Sequence, residues 1–306
     1  MTIRWIENKL NVYLNRVLNT EGKDYVVGSD TDSIILILDE IVVQSLEEKI
    51  DSYDTQQIIS FMDKICENKI QPIINKAFND LAGYTGAYSQ QMSMKREALA
   101  DKGIWRAKKN YVLNVYNNEG VAYNTPQMKI MGLEIVKSST PTACRVKLKE
   151  SLDIIMNKSE DDMIAFIDKF RKEFKTLPIE DISFPRGVNG INKYTVKETG
   201  LFVDRTPIHT RGSILYNFHI KKKKLDNKYQ LITDGEKIKF IYLREPNTIQ
   251  SNIISFHHSL PNEFGLNKYI DYDTQFIKSF LEPLKSILDC INWKTEKMNS
   301  LESFFT

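Results

Sequence analysis

Two carboxylates two residues apart are the sharpest candidate site in the sequence. Asp30 and Asp32 lie in GSDTDS at 28–33. At this spacing in a tight turn, two side chains can face the same side and share divalent cations, because Mg²⁺ prefers oxygen ligands. Two such ions about 4 Å apart can stabilise the attacking and the leaving oxygen of a phosphoryl transfer. The spacing therefore indicates metal-assisted chemistry.

Two other interpretations of this segment need weighing. A solvated Asx turn is the commonest role of an isolated pair of this kind. An EF-hand calcium loop fails, because it would need Gly and Glu where the sequence has Ile35 and Ile41. A carboxylate between hydrophobic strands is costly without a cation or another partner. That cost favours a functional site over a solvated turn.

Two stretches are locally basic, although the whole chain has 42 Lys plus Arg against 40 Asp plus Glu. The first contains six basic and two acidic residues: Lys102, Arg106, Lys108, Lys109, Lys129 and Lys137, with Glu119 and Glu134. It ends in KSSTP at 137–141, where a hydroxyl-rich helix start can hold a phosphate. The second stretch, Arg205 to Lys224, contains no acid. Both suit a surface that follows a nucleic-acid backbone, and a solvated charged face is the alternative.

A strand, turn and strand are predicted to position the carboxylates, because apolar runs at 25–27 and 34–38 flank the polar turn. Periodicity predicts further elements around it: a helix from Ile6 to about Thr20–Gly22, a helix over 54–81 and several strands over 88–131. Residues 1–132 are thus predicted to be mixed α and β.

Helices joined by polar connections are predicted from residue 133 to 293. The predicted elements are a helix from Thr140 to Met156 with Thr140 as N-cap, a helix after the capping box Ser159–Asp162 with Met163, Ile167, Phe170 and Phe174 on its apolar face, an irregular segment marked by Pro178, Pro185 and Gly190, a helix at 208–223, a strand at 237–243, and a helix at 272–291 with a kink at Pro283. The composition of residues 294–300 suits a flexible tether.

Several classes of function have no support in the sequence. The three cysteines Cys66, Cys144 and Cys290 are far apart, so neither a disulfide framework nor a CxxC site is indicated, and a reducing compartment fits. The four histidines lack zinc spacing, and no phosphate-binding loop or dinucleotide fingerprint is present. Without a long apolar run or a signal peptide, we expect no membrane association and a cytoplasmic location.

Six motifs taken in order resemble the replicative family B DNA polymerases of T-even type phages. They are GSDTDSI at 28–34, KKNY at 108–111, KIMGLEIVKSSTP at 129–141, HTRGSILYN at 209–217, GEKIKFIYLRE at 235–245 and SLESFF at 300–305. The resemblance implies an α+β fold: the C-terminal part of the palm, an antiparallel sheet with helices, at 1–132; a mainly helical thumb at 133–293; and a tail with a sliding-clamp-binding peptide at 294–306.

The resemblance also implies roles for individual residues. Asp32 would be a direct metal ligand and Asp30 its companion carboxylate, holding two Mg²⁺ ions. The residues expected to bind primer-template DNA are Lys108, Lys109, Tyr111, Lys129, Lys137, Ser138, Ser139, Thr140, Lys193, His209, Arg211 and Lys237. Those expected to bind the clamp are Leu301, Phe304 and Phe305. The sequence departs from the family pattern at Gly28-Ser29, usually Tyr-Gly, and at Asn110, usually Arg.

The family's other metal-binding aspartate, its nucleotide-gripping finger helix and its exonuclease precede the DTDS motif, and 29 residues cannot contain them. The leading hypothesis is therefore the C-terminal subunit of a split DNA polymerase. It would be inactive without an N-terminal partner that carries the exonuclease, the fingers and the remaining palm, and the two metal ions would be shared with that partner. An initial Met and a complete clamp tail suit a separate gene product. The alternatives are a stand-alone DNA- and clamp-binding module and a truncated piece of a full-length polymerase.

Overall fold

The structure is a computed structural model, and it describes residues 2–46 and 52–297. The chain divides after Met131 into two compact units, here called unit 1 and unit 2. Each unit combines helices with antiparallel strands. This mixture is compatible with the predicted α+β class.

The apolar face of the first helix lies in the core of unit 1. Its elements are α1 (Thr2–Val17), β1 (Val26–Asp30), β2 (Ser33–Leu36), α2 (Asp39–Leu46), α3 (Thr55–Ile65), α4 (Gln71–Thr85), β3 (Ala98–Ala107), β4 (Asn110–Asn118) and β5 (Val121–Met131). Helix α1 buries Ile6, Leu10 and Leu14, as its 3.6-residue period predicts. These three side chains belong to one core with Phe78 of α4.

Two antiparallel sheets complete unit 1. The predicted strand, turn and strand are confirmed, because β1 and β2 form a hairpin in which Asp30 pairs with Ser33. The second sheet has the order β3-β4-β5. Its strands begin at Ala98, so the prediction that strands start near residue 88 is wrong. The predicted helix at 54–81 is confirmed as a helical stretch with a π turn, Cys66–Ile70, between α3 and α4.

Unit 2 encloses a core of aromatic rings. Its elements are α5 (Thr142–Asn157), α6 (Glu160–Phe174), α7 (Ile179–Ile182), β6 (Phe184–Gly187), α8 (Ile191–Tyr194), α9 (Ile208–Lys222), β7 (Lys237–Tyr242), β8 (Ile253–Phe256), α10 (Tyr272–Phe276) and α11 (Glu282–Leu288). The capping box of Ser159 and Asp162 is confirmed, and so is the buried apolar face of α6. Phe170 of that face packs edge-to-face on Phe280, with ring centroids 4.8 Å apart.

One prediction for unit 2 needs correction. Thr140 is not the N-cap of α5: Pro141 holds that position, and the hydroxyl of Thr140 donates instead to the carbonyl of Glu134 at 2.8 Å. The kink predicted at Pro283 stays a prediction; a π turn, Ile277–Leu281, precedes this proline, which cannot donate a backbone hydrogen bond. Strands β6 and β8 were not predicted, since segments of four residues are too short to show a readable period.

The three cysteines are free thiols, and they differ in burial. Cys66 and Cys144 are buried, whereas Cys290 is exposed. Burial raises the pKa of Cys66 to about 11 and that of Cys144 to about 12. Among the described residues, every helix is too short or too polar to cross a lipid bilayer.

Candidate metal site and nucleic-acid surfaces

The β1–β2 hairpin carries the two carboxylates at its tip. Asp30 is the last residue of β1, and its side chain is 24% exposed. Asp32 lies in the two-residue turn and is exposed. The backbone N–H of Thr31 donates to Asp30 Oδ1 at 2.8 Å, and its hydroxyl donates to the same oxygen at 3.1 Å. The carboxylate of Asp30 is thus partly buried within unit 1, whereas that of Asp32 is exposed to solvent.

A second hairpin tip supplies cations to Asp30. Lys108 and Lys109 form the turn between β3 and β4, where Lys109 adopts a left-handed backbone with φ of 58°. Lys108 Nζ lies 3.1 Å from Asp30 Oδ1, and Lys109 Nζ lies 3.4 Å from Oδ2. The contact with Lys108 is the main reason that the pKa of Asp30 is lowered to about 2. The structure therefore joins two predicted motifs that are 78 positions apart at Asp30 and Lys108.

This arrangement bears on how a cation would bind. The charged partner expected for a carboxylate at this hairpin is provided by two lysines, so an ion that takes Asp30 as a ligand has to displace them. Asp32 has no ion-pair partner in the part of the chain that the structure describes, and its carboxylate suits Mg²⁺ directly. Residues 2–46 and 52–297 contain no group of three or more acidic, histidine or cysteine side chains placed to hold a metal.

The other predicted DNA-binding residues of unit 1 lie on the three-stranded sheet. Tyr111 on β4 is half-buried and pairs with Trp105, with ring centroids 6.0 Å apart. Lys129 on β5 forms an ion pair with Glu97. Tyr111 is thus held by packing, whereas the charge of Lys129 has a carboxylate partner.

In unit 2 the segment 137–140 forms a hydrogen-bonded loop. The backbone N–H of Thr140 donates to the carbonyl of Lys137 at 3.2 Å, and Lys137 Nζ lies 3.0 Å from a carboxylate oxygen of Glu134. Lys137 and Ser138 are exposed, and Ser139 is half-buried. The carbonyl of Ser139 accepts a 2.7 Å bond from Arg186. The loop is therefore fixed from both sides before α5 begins.

The first turn of α9 holds two further predicted residues, His209 and Arg211. The hydroxyl of Ser255 on β8 donates to the carbonyl of His209 at 2.9 Å. This approach is close because Gly212 has no side chain: a Cβ there would lie 2.4 Å from Ser255 Oγ. Arg211 Nη2 donates to Asn252 Oδ1 at 2.7 Å. Burial, and then the nearby charge of Arg186, lower the pKa of His209.

The remaining predicted residues of unit 2 are exposed lysines. Lys193 lies on α8 with its ammonium 5.4 Å from the ring centroid of Tyr194. Lys237 begins β7 and pairs across the sheet with Gly187. Arg186, the neighbour of Gly187, is half-buried and was not predicted to bind DNA. It is a single basic residue between Pro185 and Gly187, and the run of like charges that marked the other surfaces is absent there.

The predicted clamp-binding residues Leu301, Phe304 and Phe305 lie outside the described residues. Their role is therefore a prediction from the sequence.

The chain is similar along its whole length to two phage proteins, although no protein-family model matches it. It is 32% identical to the DNA-directed DNA polymerase of Enterobacteria phage T4 over 318 aligned positions, which cover 99% of this chain and 34% of the T4 protein. It is 35% identical to the DNA-directed DNA polymerase of Escherichia phage RB69, with 100% and 34% covered. The chain therefore matches a fragment of the T4-type phage DNA polymerases, and it spans about one third of the length of the relatives it matches.

Proposed function

We propose that the chain is the C-terminal subunit of a split DNA-directed DNA polymerase. Unit 1 would supply the C-terminal part of the palm, and unit 2 would be the thumb. The observation that carries the proposal is an identity of 32–35% along essentially the whole chain to polymerases three times as long. The meeting of Asp30 with Lys108 and Lys109 supports it, because it joins the proposed metal-site motif to a proposed DNA-binding motif.

In this proposal the β1–β2 hairpin binds metal cations, and the β3–β4 hairpin binds the phosphate anions of DNA. Asp32, with Asp30, would hold Mg²⁺ together with ligands of the N-terminal subunit, and the ions would neutralise charge on the phosphoryl oxygens of the nucleotide. Lys108 and Lys109 would hold the phosphates of the primer-template, and Tyr111 would position the strand. DNA therefore competes with Asp30 for the two lysines. Duplex binding would release Asp30 at the same time as it brings the primer to the site.

The partner required is an N-terminal polymerase subunit with exonuclease, fingers and the remaining palm, which would also bind the dNTP. In the test, this chain is mixed with the N-terminal part of a T4-type polymerase, that is, the whole segment that precedes its DTDS motif. We expect primer extension only from the mixture, because positioning and charge neutralisation supply most of the rate in phosphoryl transfer. The N-terminal part alone is the matched control. Extension by the purified 306-residue chain would contradict the proposal.

A second candidate function is a DNA-binding module without catalysis. The observation that favours it is the neutralised charge of Asp30, whose two oxygens already contact lysines. In this case unit 1 would bind duplex, and Asp30 would only hold the lysine hairpin in place. The same mixing experiment separates the candidates, because a binding module gives a DNA complex and no extension with any partner.

We also propose that the chain ends in a clamp-binding peptide. Leu301, Phe304 and Phe305 supply an apolar residue followed three positions later by two aromatics, and buried aromatic anchors carry much of the energy in such contacts. The peptide alone would bind weakly, and DNA already held by unit 2 would raise its effective concentration. In the mixture with the N-terminal part, deletion of residues 300–306 should leave the extension of short primers unchanged. The same deletion should abolish clamp-dependent synthesis of long products. Unchanged clamp stimulation would contradict this role.

A further inference from the structure

Arg186 is held in place by backbone carbonyls and aromatic rings. Its Nη1 donates to the carbonyl of Ser139 at 2.7 Å and to that of Pro185 at 2.9 Å. Its guanidinium carbon lies 5.7 Å from the ring centroid of Phe184 and 6.0 Å from that of Phe240. These two rings stack on each other across β6 and β7, with centroids 5.1 Å apart. The side chain therefore has a fixed direction.

The charge of Arg186 has no acidic partner among the described residues. The guanidinium is half-buried, and burial lowers its pKa. A partly buried cation is costly until an anion pairs with it. A guanidinium also has five N–H donors, and the bonds to described residues engage Nη1 alone. Donors for an incoming anion are thus present in a planar, preorganised group.

Three segments predicted to bind DNA are connected to Arg186 or to its strand. The loop at 137–140 is bonded to it through the carbonyl of Ser139. His209 on α9 is close enough for the charge of Arg186 to lower its pKa, and the ring of His209 lies 6.5 Å from that of Phe240. Lys237 begins the strand paired with β6. Arg186 is therefore the side chain that links surfaces which are far apart in the sequence.

We propose that Arg186 binds a backbone phosphate of duplex DNA on unit 2 and holds the loop at 137–140 in position for the same strand. The inference rests on the proposed function and adds to it a residue that none of the matched motifs contains. One guanidinium atom fixes the loop, and the remaining N–H groups face the phosphate. Guanidinium–phosphate pairs of this kind combine charge with directed hydrogen bonds. The contact is independent of base sequence.

The test measures binding of a fluorescein-labelled primer-template duplex at several salt concentrations. Three variants of the 306-residue chain are compared with the unmodified chain: Arg186→Gln, Arg186→Lys and Arg171→Gln. Arg171 is the matched control, because it also stacks on an aromatic ring, that of Phe276 at 4.7 Å, but lies on α6. Thermal unfolding of each variant is recorded alongside.

Arg186→Gln should weaken binding about tenfold and flatten the log–log salt dependence by about one. Arg186→Lys should keep the slope and lose affinity, since it retains the charge without the planar donors. Arg171→Gln should change neither. If Arg186→Gln binds like the unmodified chain, or loses affinity with an unchanged slope in both the Gln and Lys variants, the inference is overturned and the proposed function stands. If the unmodified chain fails to bind duplex, the inference is overturned, and the mixing experiment decides the proposed function.

Discussion

The carboxylate of Asp30 in unit 1 and the guanidinium of Arg186 in unit 2 are both held by several partners, but the partners differ in kind. Asp30 is paired with two ammonium groups on exposed side chains, Lys108 and Lys109, each about two-thirds exposed. Arg186 is held by carbonyls and rings, which carry no net charge. One charge is cancelled within the molecule and the other is not.

The difference indicates how each site would meet its ligand. Exposed ion pairs contribute little to stability, so the lysines can leave Asp30 at small cost and exchange it for phosphates. The guanidinium of Arg186 needs no such exchange, because its partners stay in place when an anion arrives. Unit 1 would thus be a site of partner exchange, and unit 2 a preformed anion site.

The largest effect should come from the carboxylate without a lysine partner. Asp32→Asn should lower nucleotide incorporation by the reconstituted polymerase more than about 100-fold, because even the partners of metal ligands are worth roughly 10–100-fold. Its affinity for duplex should stay unchanged. Single-turnover extension and duplex binding by the same preparation check the two expectations. Near-normal incorporation would remove Asp32 from the metal site and leave unit 1 as a binding surface.

A smaller effect is expected from the lysines. Lys108→Ala and Lys109→Ala should each weaken duplex binding for all sequences alike and flatten the salt dependence by roughly one. In both variants the pKa of Asp30 should rise from about 2 toward its ordinary value of 3.8, as carboxyl NMR titration would detect. Lys23→Ala is a suitable control, since Lys23 is paired with Glu40 in the same unit. An unchanged salt slope in the two test variants would favour a solvated face.

The smallest effect concerns stability in acid. Asp30 has a pKa of about 2 in the folded chain, below its ordinary 3.8, mainly because of Lys108. The ion pairs therefore stabilise the fold above about pH 4, and this contribution is lost as the pH falls from 3.8 toward 2. Asp30→Asn should make the urea midpoint less dependent on pH in this window, with Asp32→Asn as the control. Equal slopes for Asp30→Asn and the unmodified chain would show that the lysines leave Asp30 in solution.

Helix ends, hairpins and helices that are stabilised by contacts between residues close in the sequence were predicted correctly from short sequence patterns. The capping box of Ser159 and Asp162 and the hairpin around Asp30 are specified within a few positions. Helix α9 was predicted over 208–223 and runs Ile208–Lys222. In each case a short pattern is sufficient, because hydrogen bonds and apolar spacing are satisfied within the element itself.

Features that depend on distant residues could not be read in the same way. The hydroxyl of Thr140 donates to the carbonyl of Glu134, although the sequence pattern predicted that it would cap helix α5. The contact of Asp30 with Lys108 joins two hairpins, and that of Arg186 with Ser139 joins a strand to a loop. Sequence spacing carries no information on such contacts. The candidate site residues were thus predicted from motifs, whereas their contact partners are determined by tertiary packing.

The single exposed thiol of the chain gives a direct way to observe unit 2. A thiolate is the reactive form of cysteine, and burial keeps Cys66 and Cys144 protonated, with pKa values of about 11 and about 12. At neutral pH a maleimide dye should therefore attach to exposed Cys290, just beyond α11. Energy transfer from that dye to an end-labelled duplex would report which end of the DNA approaches unit 2, with no change to the natural sequence.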